Sequence, residues 1–119
     1  MRPRSDTILL ADMLDYGRRA VTAIEGRSRQ ELDADPVLVG ALERFVEVIG
    51  EAANRLTEET RRLAPGVPWN EIIAMRNRLV HGYFAVDLDI LWTVVHDDLP
   101  GVIDELDRLV TRDADSLDI

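Results

Sequence analysis

Residues 35–56 read DPVLVGALERFVEVIGEAANRL, and this stretch decides the fold. Asp35 followed by Pro36 is typical of a helix start, with an acid at the N-cap and proline at the first helical position. The apolar residues behind them recur at helical spacing over a wide arc, namely Leu38, Ala41, Leu42, Phe45, Val48, Ile49, Ala52 and Leu56. We therefore predict a central helix over residues 37–56 that other helices contact on more than one side.

Three further stretches have the same helical periodicity. The first covers residues 5–24, and Gly26 ends it. The second is Trp69–His81, directly after Pro68. The third begins at Asp87 as its N-cap, and Pro100 predicts a kink or break within it, because proline lacks the amide that a helix interior needs.

Two short helical pieces complete the prediction. Ser28 and Glu31 have the spacing of a capping box, which predicts a helical turn beginning there. Residues 57–63 read as a short polar helix. No segment alternates between apolar and polar residues for long enough to predict a strand. The sequence thus predicts an all-α fold, an up-down bundle of four main helices with short extra helices.

The size and composition of the chain fit one domain over residues 1–119. Hydrophobic residues make up 46% and aromatic residues only 5%, which favours an aliphatic core between helices. Residues 111–119 are acidic, and we expect them to form a frayed tail. The N-terminus lacks the long apolar stretch of a signal peptide, and no segment reaches the length of a membrane span. A cytoplasmic protein without membrane association is expected.

The formal net charge is −9, and all fourteen basic residues are arginine. Affinity for a polyanion depends largely on cations that neutralise phosphates, so the whole surface is a poor nucleic-acid binder. RNA binding would need a local arginine cluster, helped by a second subunit. The acidity alternatively reflects a basic partner or simple solubility. The absence of cysteine excludes disulfides, thiolate catalysis and cysteine-ligated zinc.

The stretch WNEIIAMRNRLVHGY, residues 69–83, carries a basic residue where an apolar one is expected. At 100° per residue one stripe contains Trp69, Ile72, Ile73, Leu79, Val80 and Tyr83. Arg76 falls near the middle of that stripe. His81 follows five positions later, directly before Gly82, a residue that commonly ends helices. An arginine on a packed face, with a histidine at the helix end, marks the candidate functional site.

Arginine and histidine together can cleave RNA without a metal. Attack of the 2′-hydroxyl on phosphorus needs proton transfer, for which histidine is suited, and a cation for the phosphate oxygens, for which the arginine fork is suited. Arg76 and His81 differ by about 140° around a regular helix, whereas Asn77 and His81 differ by about 40°. Arg76 and His81 therefore converge only if the helix unwinds near Gly82 or if two subunits build the site, and we favour a symmetric dimer.

Structural roles for the same residues remain open at this point. Arg76 could be an ion-pair partner of Glu51 or of an acid on the last helix, and His81 could be only a helix C-cap. Tyr83 could be a core residue with its hydroxyl at the edge. His96, Asp97 and Asp98 resemble metal ligands, but adjacent helical residues point in different directions, so we expect no metal site.

The segment RNRLVHGY, residues 76–83, resembles the Arg-x4-His-x-Tyr motif of HepT-like toxins in the HEPN superfamily of helical ribonucleases. VIGEAANRL at residues 48–56, VPWNEIIAMRNRLVHGYF at residues 67–84 and VDLDILWTVVHDDLP at residues 86–100 are similar to successive blocks of that family. The three blocks occur in order and cover most of the chain.

This resemblance implies an all-α homodimer with a metal-independent endoribonuclease site at the subunit interface and no cofactor. Arg76 and His81 would be the catalytic pair, with Asn77 as a polar neighbour and Glu51 as an accessory acid. The implied partner is an MNT-type nucleotidyltransferase, the antitoxin of a toxin–antitoxin pair, which transfers AMP to Tyr83. The alternative is a non-catalytic helical module that binds a nucleotidyltransferase or a nucleotide.

Overall fold

The computed structural model describes residues 4–81 and 87–117, with side chains over residues 4–79 and 87–112. Every regular element in these ranges is helical: α1 (Arg4–Ala23), α2 (Glu31–Ala34), α3 (Pro36–Arg55), α4 (Glu58–Arg62), α5 (Trp69–His81), α6 (Leu88–Thr93), a π-helical segment (Val94–Asp98) and α7 (Leu99–Leu117). Because α6, the π-helical segment and α7 follow one another without a gap, they form the fourth main helix. The predicted all-α bundle of four main helices with short extra ones is confirmed.

Helix α3 is the centre of the bundle, as predicted. It packs along α1 on one side and along α5 on the other, and α7 packs against α1. The core between these helices is aliphatic, and its innermost side chains are Leu10, Met13, Leu42, Ile49, Leu91, Val95 and Leu106. No described helix is both long and apolar enough to cross a membrane.

Local capping residues begin several helices, and most were predicted. Asp35 Oδ1 accepts a hydrogen bond from Leu38 N at 3.0 Å, and Asp87 Oδ1 accepts one from Asp89 N at 2.9 Å. The capping box predicted at Ser28 is wrong. Helix α2 begins at Glu31, and its amide donates to the backbone oxygen of Ser28 at 3.1 Å. In so short an element, backbone turns satisfy the first amides without a side-chain cap.

The last helix departs from the prediction at Pro100. It does not break at Pro100; instead the π-helical segment ends two residues before it. A proline ring collides with the carbonyl four residues earlier, here that of His96, and the wider π turn accommodates such a collision. Helix α7 extends to Leu117, while residues 118–119 lie outside the described ranges. That residues 111–119 form a frayed acidic tail stays a prediction.

A buried carboxylate joins the first helix to α4. Asp6 is 1% exposed and accepts hydrogen bonds from the hydroxyls of Thr57 at 2.6 Å and Thr60 at 2.5 Å. The Thr57 amide also donates to Asp6 Oδ1 at 3.3 Å. Since α4 leads directly into the chain that precedes α5, this network helps to set where α5 begins.

Candidate functional site

Arg76 lies on the face of α5 that packs against α3, as the sequence predicts. Its neighbours on that face, Ile72 and Met75, are each 8% exposed. Across the interface lies Gly50, where a built Cβ would be 2.2 Å from Arg76 Cβ and 3.1 Å from the backbone oxygen of Ile72. The two helices therefore approach closely enough at this point that only glycine fits, and the aliphatic stem of Arg76 rests directly on the α3 backbone.

The guanidinium of Arg76 has two polar neighbours. Its Nη2 lies 2.5 Å from Glu51 Oε2, and its Nη1 donates to Asn77 Oδ1 at 3.0 Å. The Arg76 side chain is 25% exposed and that of Glu51 is 43% exposed, but Glu51 Oε2 itself is buried, so the ion pair is partly shielded from solvent. The sequence offered Glu51 or an acid on the last helix as the ion-pair partner of Arg76, and the structure pairs Arg76 with Glu51. Arg76, Asn77 and Glu51 thus converge in one place.

A groove of about 280 Å³ borders this ion pair, between α1, α3 and α5. We call it the α3 groove; its charged lining residues are Asp12, Arg44, Glu47, Glu51, Arg55 and Arg76. Nothing in the local sequence marks Arg44, Arg55 or Asp12 as site residues. Positions 44, 51 and 55 do share one face of α3, but only the packing of α1 and α5 beside that face makes it the wall of a groove.

His81 is the last residue of α5, and its side chain lies outside the described ones. Helix α5 remains α-helical from Trp69 through His81, so positions 76 and 81 are still about 140° apart around the helix axis. The possible unwinding at Gly82, and the position of Tyr83, lie outside the described residues. Within these ranges the site therefore consists of Arg76, Asn77 and Glu51.

The second histidine, His96, lies on the exposed face of the π-helical segment. The ring of His96 stacks on that of Trp92 with centroids 5.0 Å apart, and its Nδ1 lies 2.7 Å from Asp97 Oδ1. The adjacent residues His96 and Asp97 therefore contact each other, although adjacent residues of a regular helix were expected to point in different directions. Across residues 4–81 and 87–117, no three acidic or histidine side chains are grouped as metal ligands would be.

Comparison with known proteins assigns the family. The family model described as "Ribonuclease HepT-like" matches residues 13–109. A Thermococcus cleftensis protein named "Probable ribonuclease HepT" is 39% identical over 102 residues, covering 82% of this chain and 93% of that protein. A protein of Caldanaerobacter subterraneus subsp. tengcongensis, named as a putative RNase, is 33% identical over 93 residues, covering 78% of this chain and 83% of its own length.

A Methanocaldococcus jannaschii protein, also named as a putative RNase, is 30% identical over 107 residues, covering 90% of this chain and 98% of that protein. No solved structure matches the chain. The family match includes α3 and α5, and hence Glu51, Arg76 and Asn77. On this basis the chain belongs to the HepT-like ribonuclease family of the HEPN superfamily.

Proposed function

We propose that this protein is a metal-independent endoribonuclease that acts as a homodimer, with Arg76 and His81 as its catalytic pair. One observation carries the proposal: Arg76 is held on the α3 backbone at Gly50, with its guanidinium beside a solvent-open groove. Family membership supports RNA as the substrate. An arginine that only stabilised the fold would not need an open groove next to its charged end.

Arg76 binds the scissile phosphate in this mechanism. Its planar fork donates two parallel hydrogen bonds to phosphate oxygens. In the free protein Glu51 and Asn77 occupy that fork. A phosphate must displace at least one of them, and the partial exposure of both Arg76 and Glu51 leaves the carboxylate free to move into solvent. Glu51 therefore keeps the guanidinium oriented before substrate binds.

His81 transfers the proton in this mechanism. The 2′-hydroxyl attacks phosphorus, the bond to the 5′-oxygen breaks, and the imidazole either accepts the first proton or donates one to the leaving oxygen. Positions 76 and 81 are about 140° apart around a helix that is regular through residue 81, which favours a site completed by a second subunit. A two-fold axis would bring two copies of each group together.

Cleavage of RNA by the purified protein tests the assignment. The wild type should cut single-stranded RNA in the presence of EDTA, and His81→Ala and Arg76→Ala should each lower the rate by a factor of about 100 or more. Arg108→Ala is the matched control, because Arg108 is exposed and pairs with Glu105 on α7. Unchanged cleavage by His81→Ala, or cleavage abolished by EDTA and restored by a divalent ion, would contradict the proposal.

We further propose that the protein is the toxin of a toxin–antitoxin pair and that an MNT-type nucleotidyltransferase attaches AMP to Tyr83. Tyr83 lies two positions beyond His81, so phosphates attached there could occupy the guanidinium of Arg76 and repel RNA. Incubation with such an enzyme and ATP should raise the intact mass in AMP increments and abolish cleavage. An increment that persists in Tyr83→Phe would assign the modification to another residue.

The Arg76–Glu51 ion pair favours one alternative, a non-catalytic module in which Arg76 is purely structural. Removing one partner of a fully buried pair costs about 3–5 kcal/mol, whereas exposed pairs contribute about 1 kcal/mol or less. For a catalytic Arg76, Arg76→Ala should lose cleavage and remain folded, with a loss of stability well below the roughly 3–5 kcal/mol of a fully buried pair. A large loss of stability together with no RNA cleavage by the wild type would support the module instead.

A further inference from the structure

The α3 groove holds one arginine that no described residue neutralises. Arg44 pairs with Glu47 at 3.3 Å, and Arg76 pairs with Glu51. Arg55 lines the same groove, is exposed, and forms neither an ion pair nor a side-chain hydrogen bond with any residue in the described part of the chain. In a protein of net charge −9, a cation left unpaired beside Arg76 is suited to an anionic ligand.

The spacing along α3 relates Arg55 to Arg76. The guanidinium of Arg76 pairs with Glu51, and Arg55 lies four residues beyond Glu51 on the same face of α3, a rise of about 6 Å. Both side chains border one continuous groove. A single strand that places one phosphate at Arg76 therefore carries a flanking phosphate toward Arg55 if it follows the groove.

We propose that Arg55 is a substrate-positioning residue that binds the RNA phosphate flanking the one held by Arg76. This inference rests on the proposed ribonuclease function. Charge favours an anionic ligand at Arg55, because Arg55 has no carboxylate partner among the described residues, and a single strand of RNA provides repeated anions along the groove. Arg55 touches no reacting atom, so it affects how the strand is held more than how fast it is cut.

Steady-state cleavage of a mixed-sequence single-stranded RNA tests this role through the division between KM and kcat. Arg55→Gln should raise KM by about fivefold while kcat changes less than twofold, the loss expected for one solvated ionic contact. The slope of log(kcat/KM) against log salt should become shallower by about 0.7, the value for one phosphate contact on a single strand. Arg55→Lys should recover most of the KM, because it restores the charge.

Arg108→Gln is the control with the same change in net charge, since Arg108 is exposed on α7 and does not line the α3 groove. Its KM and salt slope should equal those of the wild type. If Arg55→Gln matches the wild type, or if Arg108→Gln has the same effect as Arg55→Gln, the role of Arg55 is refuted while the ribonuclease assignment survives. If the wild type itself cuts no RNA, the proposed ribonuclease function fails. That outcome is distinct from the two results that refute only the role of Arg55.

Arg55 also lies in the last turn of α3, where a cation stabilises the helix dipole. That purely structural role would lower the melting temperature of Arg55→Gln and leave its salt slope unchanged. A lower melting temperature with an unchanged slope would therefore overturn the proposal. A changed slope with an unchanged melting temperature would support it.

Discussion

Replacing Gly50 by alanine tests whether the α3–α5 contact positions Arg76. The new methyl group would be 2.2 Å from Arg76 Cβ, 2.9 Å from Arg76 Cγ and 3.1 Å from the Ile72 backbone oxygen. Two of these atoms, the Cβ and the carbonyl oxygen, are fixed to the backbone of α5, so rotating a side chain cannot relieve the contact. Helix α5 must move away from α3 by more than about 1 Å to restore normal carbon–carbon separation.

The expected cost follows from two opposing effects. Overpacking of a tight interface lowers the free energy of unfolding by about 1–3 kcal/mol, while replacing glycine by alanine within a helix raises it by about 1 kcal/mol. Gly40→Ala shows only the second effect, because Gly40 lies in the same helix and has no atom within 4 Å of a built Cβ. The difference in stability between the two alanine variants therefore isolates the cost of overpacking. Gly50→Ala should therefore be less stable than Gly40→Ala by about 1–3 kcal/mol.

Urea unfolding followed by circular dichroism measures this difference. All variants should be compared at one protein concentration, because association would contribute to the apparent stability. Gly50→Ala should also lose RNA cleavage, since the displaced α5 carries Arg76 away from Glu51. Equal stability of the two alanine variants would refute the reasoning.

A second substitution identifies the colliding atom. Arg76→Ala retains the Cβ, so it should not relieve the strain of Gly50→Ala. Arg76→Gly removes that Cβ, so the double variant should be more stable than the sum of the two single changes predicts. Strict additivity in the Arg76→Gly cycle would mean that the contact lies elsewhere.

Two further predictions concern charge and burial. Arg76→Lys keeps the charge beside Glu51 and loses the planar fork. The free energy of unfolding should therefore change by less than about 1 kcal/mol, while the cleavage rate measured under the same conditions falls at least tenfold. Cleavage by Arg76→Lys at the wild-type rate would contradict a bidentate phosphate contact. Asp6→Ala leaves the Thr57 and Thr60 hydroxyls without their buried acceptor, so urea unfolding should report a loss of about 2–4 kcal/mol. Asp12→Ala on the exposed side of α1 should change stability by less than about 0.5 kcal/mol, and a similar loss in both variants would argue against a special role of Asp6.

Features set by neighbouring residues were predictable from the sequence. The bounds of α5 and the N-caps Asp35 and Asp87 follow from short-range patterns of proline, acids and apolar spacing. The position of Arg76 on the packed face of α5 follows from periodicity alone. All of these patterns involve residues that lie within a few helical turns of one another along the chain.

Features set by contacts between distant segments were not predictable. Arg44 and Arg55 gain their relation to Arg76 only because α1 and α5 flank the same face of α3. The buried Asp6 bonds to hydroxyls about fifty residues away, and nothing in the local sequence around Asp6 indicates this. The π-helical segment before Pro100 forms because packing against the bundle keeps the helix continuous across the proline. The local sequence rule for proline predicts only a kink or a break.

Gly50 and Glu51 are adjacent residues of α3 that contact opposite ends of the Arg76 side chain. Gly50 admits the stem of Arg76, and Glu51 pairs with its guanidinium. If the arginine were needed only for stability, a buried aliphatic residue at position 76 would fill the interface with less cost, since a charged group pays for its desolvation there. The close approach at Gly50 instead holds the arginine rigidly while its charged end stays at the groove. This arrangement is the one expected under the proposed phosphate-binding role, in which a phosphate takes the place of Glu51 at the guanidinium.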